Sequence, residues 1–385
     1  MIPYGRQDIN QADIDAVVEV LQSDYLTQGP KVPAFESAVA SYCSARYGVA
    51  VNSATSALHI ACLALGVGPK DIVWTSPITF VASANCALYC GAKIDFVDVD
   101  PYSGNMCPQA LALKLAQAAL TGTMPKVVIP VHLCGHCCDM ESIARLAKQY
   151  QFKVIEDASH AIGGNLHGHR IGSGYYSDIT IFSFHPVKVI TSAEGGMALT
   201  NNSELAYKMQ LYRSHGITRN MADMMRPQEG AWYYEQQVLG FNYRMTDLQA
   251  ALGLSQLARL DEFVVTRNEL AKVYDNALSG ENIRFVAPLD NSLSARHLYI
   301  IQLEDMRQRR ECFEYMRLKG ILVNVHYFPV HLQPYYLNLG FNEGDFPHAE
   351  SFYQRILTLP LYPIMTASEQ QCVITALCES LSAVR

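Results

Sequence analysis

The sequence predicts an α/β fold, with one large, mostly parallel sheet covered by helices on both faces and a smaller α/β unit after it. Two patterns carry this. Apolar runs of buried-strand type recur at 48–51, 72–75, 94–99, 127–132, 153–156 and 179–184. Helical spacings lie between them, as in Leu58, Ala61, Cys62 and Leu65, or Ile143, Leu146 and Ala147. Continuously apolar strands are buried on both faces, and strand–helix alternation pairs them in parallel. A third observation is the length of 385 residues, half of them hydrophobic and 17% charged, which suits a globular chain of two or three cores.

The elements follow in order. Ile14, Val17, Val18 and Leu21 form one apolar stripe of a first helix, with Asn10 placed to cap it. A turn-rich loop at 26–30 leads to a helix over 35–42. After the six strands, helices dominate from Asp247 to about Leu278. The smaller unit has strands over 297–303 and 322–327 around a helix at 311–319. Residues 1–250 are therefore expected to form the large domain, and 251–385 a linking helix and the small domain.

Composition excludes several functions. A net charge of -7 with no dense Lys or Arg run leaves no basic patch for nucleic acid. No apolar stretch reaches the roughly 18 residues of a membrane span, and the first residues lack the basic head and apolar core of a secretory signal. Eleven irregularly spaced cysteines fit reduced thiols in a cytoplasmic protein. The cluster His132, Cys134, His136, Cys137 and Cys138 matches no standard zinc spacing, so no metal is expected.

Open α/β sheets bind ligands at the carboxyl ends of their strands, and four segments place reactive residues there. Asn52-Ser53-Ala54-Thr55-Ser56-Ala57 opens a helix with small residues, suited to an anion or simply to an N-cap. Glu156-Asp157 closes a buried strand, where Asp157 can hold a pyridine nitrogen protonated or cap the next helix. Lys188 lies just past another strand, and burial would lower its pKa enough for imine chemistry, although a lysine is more often a surface group. Phe80, after the strand at 72–75, is either a stacking platform for a flat ring or core.

These segments, together with Glu194-Gly195-Gly196 and Gly240-Phe241-Asn242-Tyr243-Arg244-Met245, resemble the DegT/DnrJ/StrS family of sugar-nucleotide aminotransferases, in the same order and over nearly the whole chain. Leu26 to Gly29, Ser159-His160-Ala161, Thr191 to Gly196, Arg213 to Gly216 and Val325-His326-Tyr327 look closest to the branch acting in the pseudaminic acid pathway. The resemblance implies a type I, aspartate aminotransferase-like fold and the cofactor pyridoxal 5'-phosphate (PLP). It also implies a homodimer with shared active sites, L-glutamate as amino donor and a UDP-linked 4-keto-6-deoxy-N-acetyl-hexose as acceptor.

Residue by residue, Lys188 matches the cofactor-bearing lysine and Asp157 the partner of the ring nitrogen. Phe80 matches the stacking aromatic, and Ala54, Thr55 and Ser183 the phosphate ligands. Asn242 matches a residue donated by the second subunit. His160 stands near the phenolic oxygen, where many members carry Gln. Tyr4, Asp24, Tyr25, Leu26, Thr27, His326, Tyr327, Phe328 and Pro329, with Ala54, Ser183 and Asn242, fall where relatives contact the sugar nucleotide. Lys31, Arg213 and Arg219 are the nearest basic candidates for gathering a dianionic substrate. Ala193 replaces the Gly usual before Glu194, a change shared with the pseudaminic branch. A PLP-dependent sugar dehydratase would carry His in place of Lys188.

Overall fold

The computed structural model describes residues 1–383. Its strands include β1 Ile2–Pro3, β2 Tyr47–Val51, β3 Ile72–Thr75, β4 Lys93–Phe96, β5 Val127–Ile129, β6 Lys153–Asp157, β7 Ile179–Ser183 and β8 Gly196–Thr200 in the first half, besides short two-residue pairings. The second half adds β9 Ile283–Phe285, β10 Tyr299–Leu303, β11 Ile321–Leu322 and β12 Ile356–Leu359. Strands β2 to β8 form one seven-stranded sheet in the order β2-β8-β7-β6-β5-β3-β4. Only β8 runs antiparallel to its neighbours, so its first residue, Gly196, pairs with Ser183 at the end of β7. That register brings the start of β8 to the same sheet edge as the ends of β2, β3, β6 and β7.

The sheet is sandwiched by helices, the first nine being α1 Gln11–Leu21, α2 Lys31–Cys43, α3 Ala54–Ala64, α4 Ala82–Tyr89, α5 Pro108–Thr121, α6 Met140–Tyr150, α7 Ser203–Arg213, α8 Asp247–Leu257 and α9 Leu260–Ala277. Apolar cores lie on each side of the sheet, one around Leu58, Ile60 and Ile155, the other around Phe35, Phe182 and Phe184. A third core joins α9, β10, β12 and the C-terminal helix. The chain start belongs to this last unit, because β1 pairs in parallel with β11.

Two expectations are corrected and one strand is added. The strand at 127–132 stops at Ile129, since Pro130 has no N–H to continue the ladder. The strand at 322–327 shrinks to Ile321–Leu322, and 323–327 become a loop held to β12 by a single bridge between Asn324 and Thr358. β8, with its two leading glycines, carries no strand signal of its own. The helices expected from Asp247 to about Leu278 are α8 and α9, separated at Ala258-Arg259.

α1 is capped as expected: Asn10 Oδ1 accepts the Asp13 N–H and Asp13 Oδ2 accepts the Asn10 N–H, both at 3.1 Å. Its inward face differs. Asp13 is fully buried, accepting from Ser255, Gln256 and Arg259 at 2.6 to 2.7 Å, while Ile14, Val18 and Leu21 are 40 to 57% exposed. The apolar stripe faces outward in the single chain.

Candidate active site

A cavity of about 430 Å³ opens at the carboxyl edge of the sheet. β2, β3, β5, β6 and β7 contribute through the segments that follow them. β2 runs into α3, whose N-cap Ser53 accepts the Ser56 amide at 3.1 Å. The first-turn amides of Ala54 and Thr55, both in the cavity wall, have no intrahelical partner and suit an anion. Gly196 makes this approach possible: a Cβ there would lie 2.5 Å from the Ala54 nitrogen.

β6 delivers Asp157, which is 5% exposed. It caps no helix: its Oδ1 accepts the Ser159 amide at 3.1 Å in a turn, and its Oδ2 accepts the Ser83 hydroxyl at 2.6 Å. Ser83 in turn shares a 2.8 Å hydrogen bond with Thr79. These hydroxyls fix the carboxylate, and both were overlooked in the sequence, although Ser83 sits one turn after Thr79. Phe80, from the same segment, is 59% exposed with its side chain in the cavity wall, so it is no core residue.

β7 ends at Ser183 and the loop beyond it returns Lys188 to the cavity. Desolvation lowers the Lys188 amine to about 8, against the partial opposition of the Asp157 carboxylate. Around it stand three histidines that burial and the nearby lysine keep neutral: His160 and His297 well below the usual imidazole range, His326 at about 3. His160 Nε2 shares a 3.1 Å hydrogen bond with the Tyr327 hydroxyl. The His160 and His297 rings lie 4.4 Å apart. Tyr4 completes this wall, its ring 5.2 Å from that of His326.

The cavity thus gathers Tyr4, Ala54, Thr55, Phe80, Asp157, His160, Ser183, Lys188, His326 and Tyr327. It does not gather the rest. Asp24, Tyr25, Leu26, Thr27 and Asn242 are exposed away from it. Phe328 packs edge-on against Tyr353 at 5.1 Å, and Pro329 is buried at the start of the next turn. The basic candidates are also elsewhere: Lys31 pairs with Glu19 at 2.9 Å, Arg213 is held by Glu36 and the Ala50 carbonyl, and Arg219 lies exposed. The His132–Cys138 loop is core: His132 pairs with Glu156 at 2.8 Å, and Cys138 donates to the Val131 carbonyl at 3.1 Å. Among the described residues no group of His, Cys, Asp and Glu is arranged to hold a metal.

A lysine of lowered pKa, a hydroxyl-braced carboxylate, an anion-binding helix start and an aromatic face suit a phosphorylated pyridine aldehyde. The DegT/DnrJ/EryC1/StrS aminotransferase model matches residues 7–378. The chain belongs to this family. The spore coat polysaccharide biosynthesis protein SpsC of Bacillus subtilis is 39% identical over 383 residues, 97% of this chain and 96% of that one. The UDP-4-amino-4,6-dideoxy-N-acetyl-beta-L-altrosamine transaminase of Campylobacter jejuni is 38% identical over 388 residues, 100% and 99%. Among solved structures, the putative sugar aminotransferase Spr1654 of Streptococcus pneumoniae in its PMP-form superposes with a TM-score of 0.93 at 31% identity, covering 100% of each chain, and a PLP-form of it is also similar. As a member of the DegT/DnrJ/EryC1/StrS family, this chain is a PLP-dependent aminotransferase.

Proposed function

We propose that the chain transfers an amino group from L-glutamate to C4 of UDP-2-acetamido-2,6-dideoxy-β-L-arabino-hexos-4-ulose. The product is UDP-4-amino-4,6-dideoxy-N-acetyl-β-L-altrosamine, for pseudaminic acid biosynthesis. The observation that carries this is the meeting of Lys188, Asp157 and Phe80 in one cavity with Tyr4, His326 and Tyr327 from the C-terminal unit and the chain start. The Campylobacter relative, similar along its whole length, bears the name of that reaction.

When bound, PLP supplies an aldehyde and a cationic ring that stabilises negative charge on the substrate carbon. In this reading Lys188 would hold the aldehyde carbon, and its amine would carry the proton that transamination moves. Asp157 keeps the ring nitrogen protonated, its own oxygens held by Ser83 and Ser159. Phe80 stacks on the ring, and Ala54, Thr55 and Ser183 hold the phosphate. His160, neutral and tied to Tyr327, stands by the phenolic oxygen. Tyr4, His326 and Tyr327 wall the sugar, while Asp24 to Thr27 and Phe328, exposed outside the cavity, take the nucleotide; the buried Pro329 does not.

The working unit in this reading is a cytoplasmic homodimer in which Asn242 completes the partner's site. Its support is that Asn242 is exposed and does not line its own chain's cavity, and that all eleven cysteines are free thiols. No helix among the described residues is long and apolar enough to cross a membrane.

A second reading is a sibling reaction on another UDP- or dTDP-keto sugar, favoured by the equal similarity to SpsC. A sugar dehydratase on the same fold is disfavoured by Lys188. The experiment is a coupled assay with glutamate, comparing the L-arabino 4-keto sugar with its D-xylo epimer. Faster turnover of the L-arabino compound supports the first reading, and faster turnover of the D-xylo compound moves the assignment to a sibling.

A further inference from the structure

The ends of α3 and α4 remote from the cavity carry a thiol cluster that transamination does not use. Cys86 lies on α4 and Cys90 at its C-cap, one turn apart and hence on one face. Cys62 of α3 meets them there, its thiol donating to Cys86 Sγ at 3.7 Å and lying beside the Cys90 thiol. Cys62 and Cys86 are buried, whereas Cys90 is part-exposed. Cys86 is further tied down by donating to the Ser83 carbonyl at 3.3 Å. The titratable groups facing Cys90 are His59 and Cys62 on α3, Cys86 and Tyr89 on α4, and Tyr243 on the loop after Gly240. None of them is an acid, and His59 Nδ1 is engaged by the Tyr243 hydroxyl at 3.2 Å.

We propose that Cys90 is a thiol–disulfide exchange site: its thiolate opens a low-molecular-weight disulfide of the glutathione type, and Cys62 resolves the product into a Cys62–Cys90 cross-link. In the first step the Cys90 sulfur bonds to one sulfur of the small disulfide, and the other leaves as thiolate. In the second step the Cys62 sulfur bonds to Cys90, the second thiolate leaves, and the Cys62 proton passes to solvent. The protein loses two electrons and two protons, and the small disulfide becomes two thiols. Cys90 is the entry point because it alone of the three is part-exposed, and Cys62 is the resolving partner because it neighbours Cys90 from the facing helix, whereas Cys86 shares the helix of Cys90. The cross-link joins two helices whose opposite ends, at Ala54 and Ala82, line the cavity.

The surroundings support this charge state. The hydrogen bond from Cys62 and the neighbouring His59 lower the Cys90 thiol to about 6, against the opposing effect of burial. At pH 7 that gives about thirtyfold more thiolate than an ordinary thiol near 8.5. The lower basicity reduces nucleophilicity about 10- to 18-fold over the same interval, leaving a net gain of only about two- to threefold at pH 7. At pH 6 the same arithmetic gives an advantage of about tenfold, and at pH 9 a deficit of about tenfold. The pH profile is therefore the diagnostic quantity.

The test exposes reduced holoenzyme to oxidised glutathione between pH 5.5 and 9, with acid quenching and peptide mapping of each cysteine. The expected result is glutathione on Cys90 with half-maximal rate near pH 6, followed by a Cys62–Cys90 disulfide with release of glutathione. Cys62→Ser should hold the mixed disulfide on Cys90. An inflection above pH 8, a Cys62–Cys86 linkage, or no cross-link in the wild-type chain overturns the proposal, and none of these depends on a variant folding.

Discussion

Lys188 reaches the cavity because Ser183 ends a buried strand and the following loop folds back over the sheet edge. A lysine amine at about 8 holds roughly 10% of its population neutral at pH 7, on the order of 200-fold more than an ordinary lysine near 10.4. The neutral amine is the nucleophile toward an aldehyde. Addition of PLP to the stripped enzyme should therefore accelerate as pH rises and level off near 8. Stopped-flow absorbance across pH 6 to 10 reads this directly, and a rate still climbing at pH 10 contradicts the lowered amine. For Asp157→Asn, PLP should still bind but turnover should fall at least tenfold, since a charge-assisted hydrogen bond of about 1.5 to 3 kcal/mol to the ring nitrogen is lost. Near wild-type turnover would remove Asp157 from the chemistry. Both residues were legible in the sequence because each closes an apolar run. The Ser83 hydroxyl and the His160–Tyr327 pair were not, since they depend on α4 and the 323–327 loop meeting the sheet edge, long-range contacts that local pattern does not encode.

At the scale of elements, buried strands and helix caps were legible wherever sequence and packing agree. The end of β5 was misread because apolar residues continue past Pro130, which breaks the ladder. β8 was missed because its strand character comes from pairing with β2 and β7 rather than from its Gly-rich start. α1 shows a different failure. Its apolar spacing gave the helix but not the orientation, which is set by Asp13 sinking into the contact with α8 and Arg259. Truncating one member of a buried, multiply hydrogen-bonded ion pair typically costs about 3 to 5 kcal/mol. Asp13→Ala should lower the unfolding free energy by about 3 kcal/mol in denaturant titration, whereas Ile14→Ser should change the single chain's stability little. The reverse order of effects would mean that the apolar stripe, and not the acid, anchors α1.

At the scale of the whole molecule, the cavity of one chain lacks the residues that family resemblance assigns to the far side of the substrate. Among the described residues, Lys188 is the only lysine or arginine in its wall. A shared site explains this. Mixing inactive Lys188→Ala subunits with inactive Asn242→Asp subunits should restore part of the activity, because a heterodimer contains one site with neither change. A fully active monomer in sedimentation would end that idea. The substrate itself is tested most directly by following the visible absorbance of the PLP-loaded enzyme through the two half-reactions. L-glutamate alone should abolish the band as the amino group passes to the cofactor, and the L-arabino 4-keto sugar nucleotide should then restore it faster than the D-xylo epimer. A band that glutamate leaves unchanged, or that the D-xylo compound restores faster, would contradict the account.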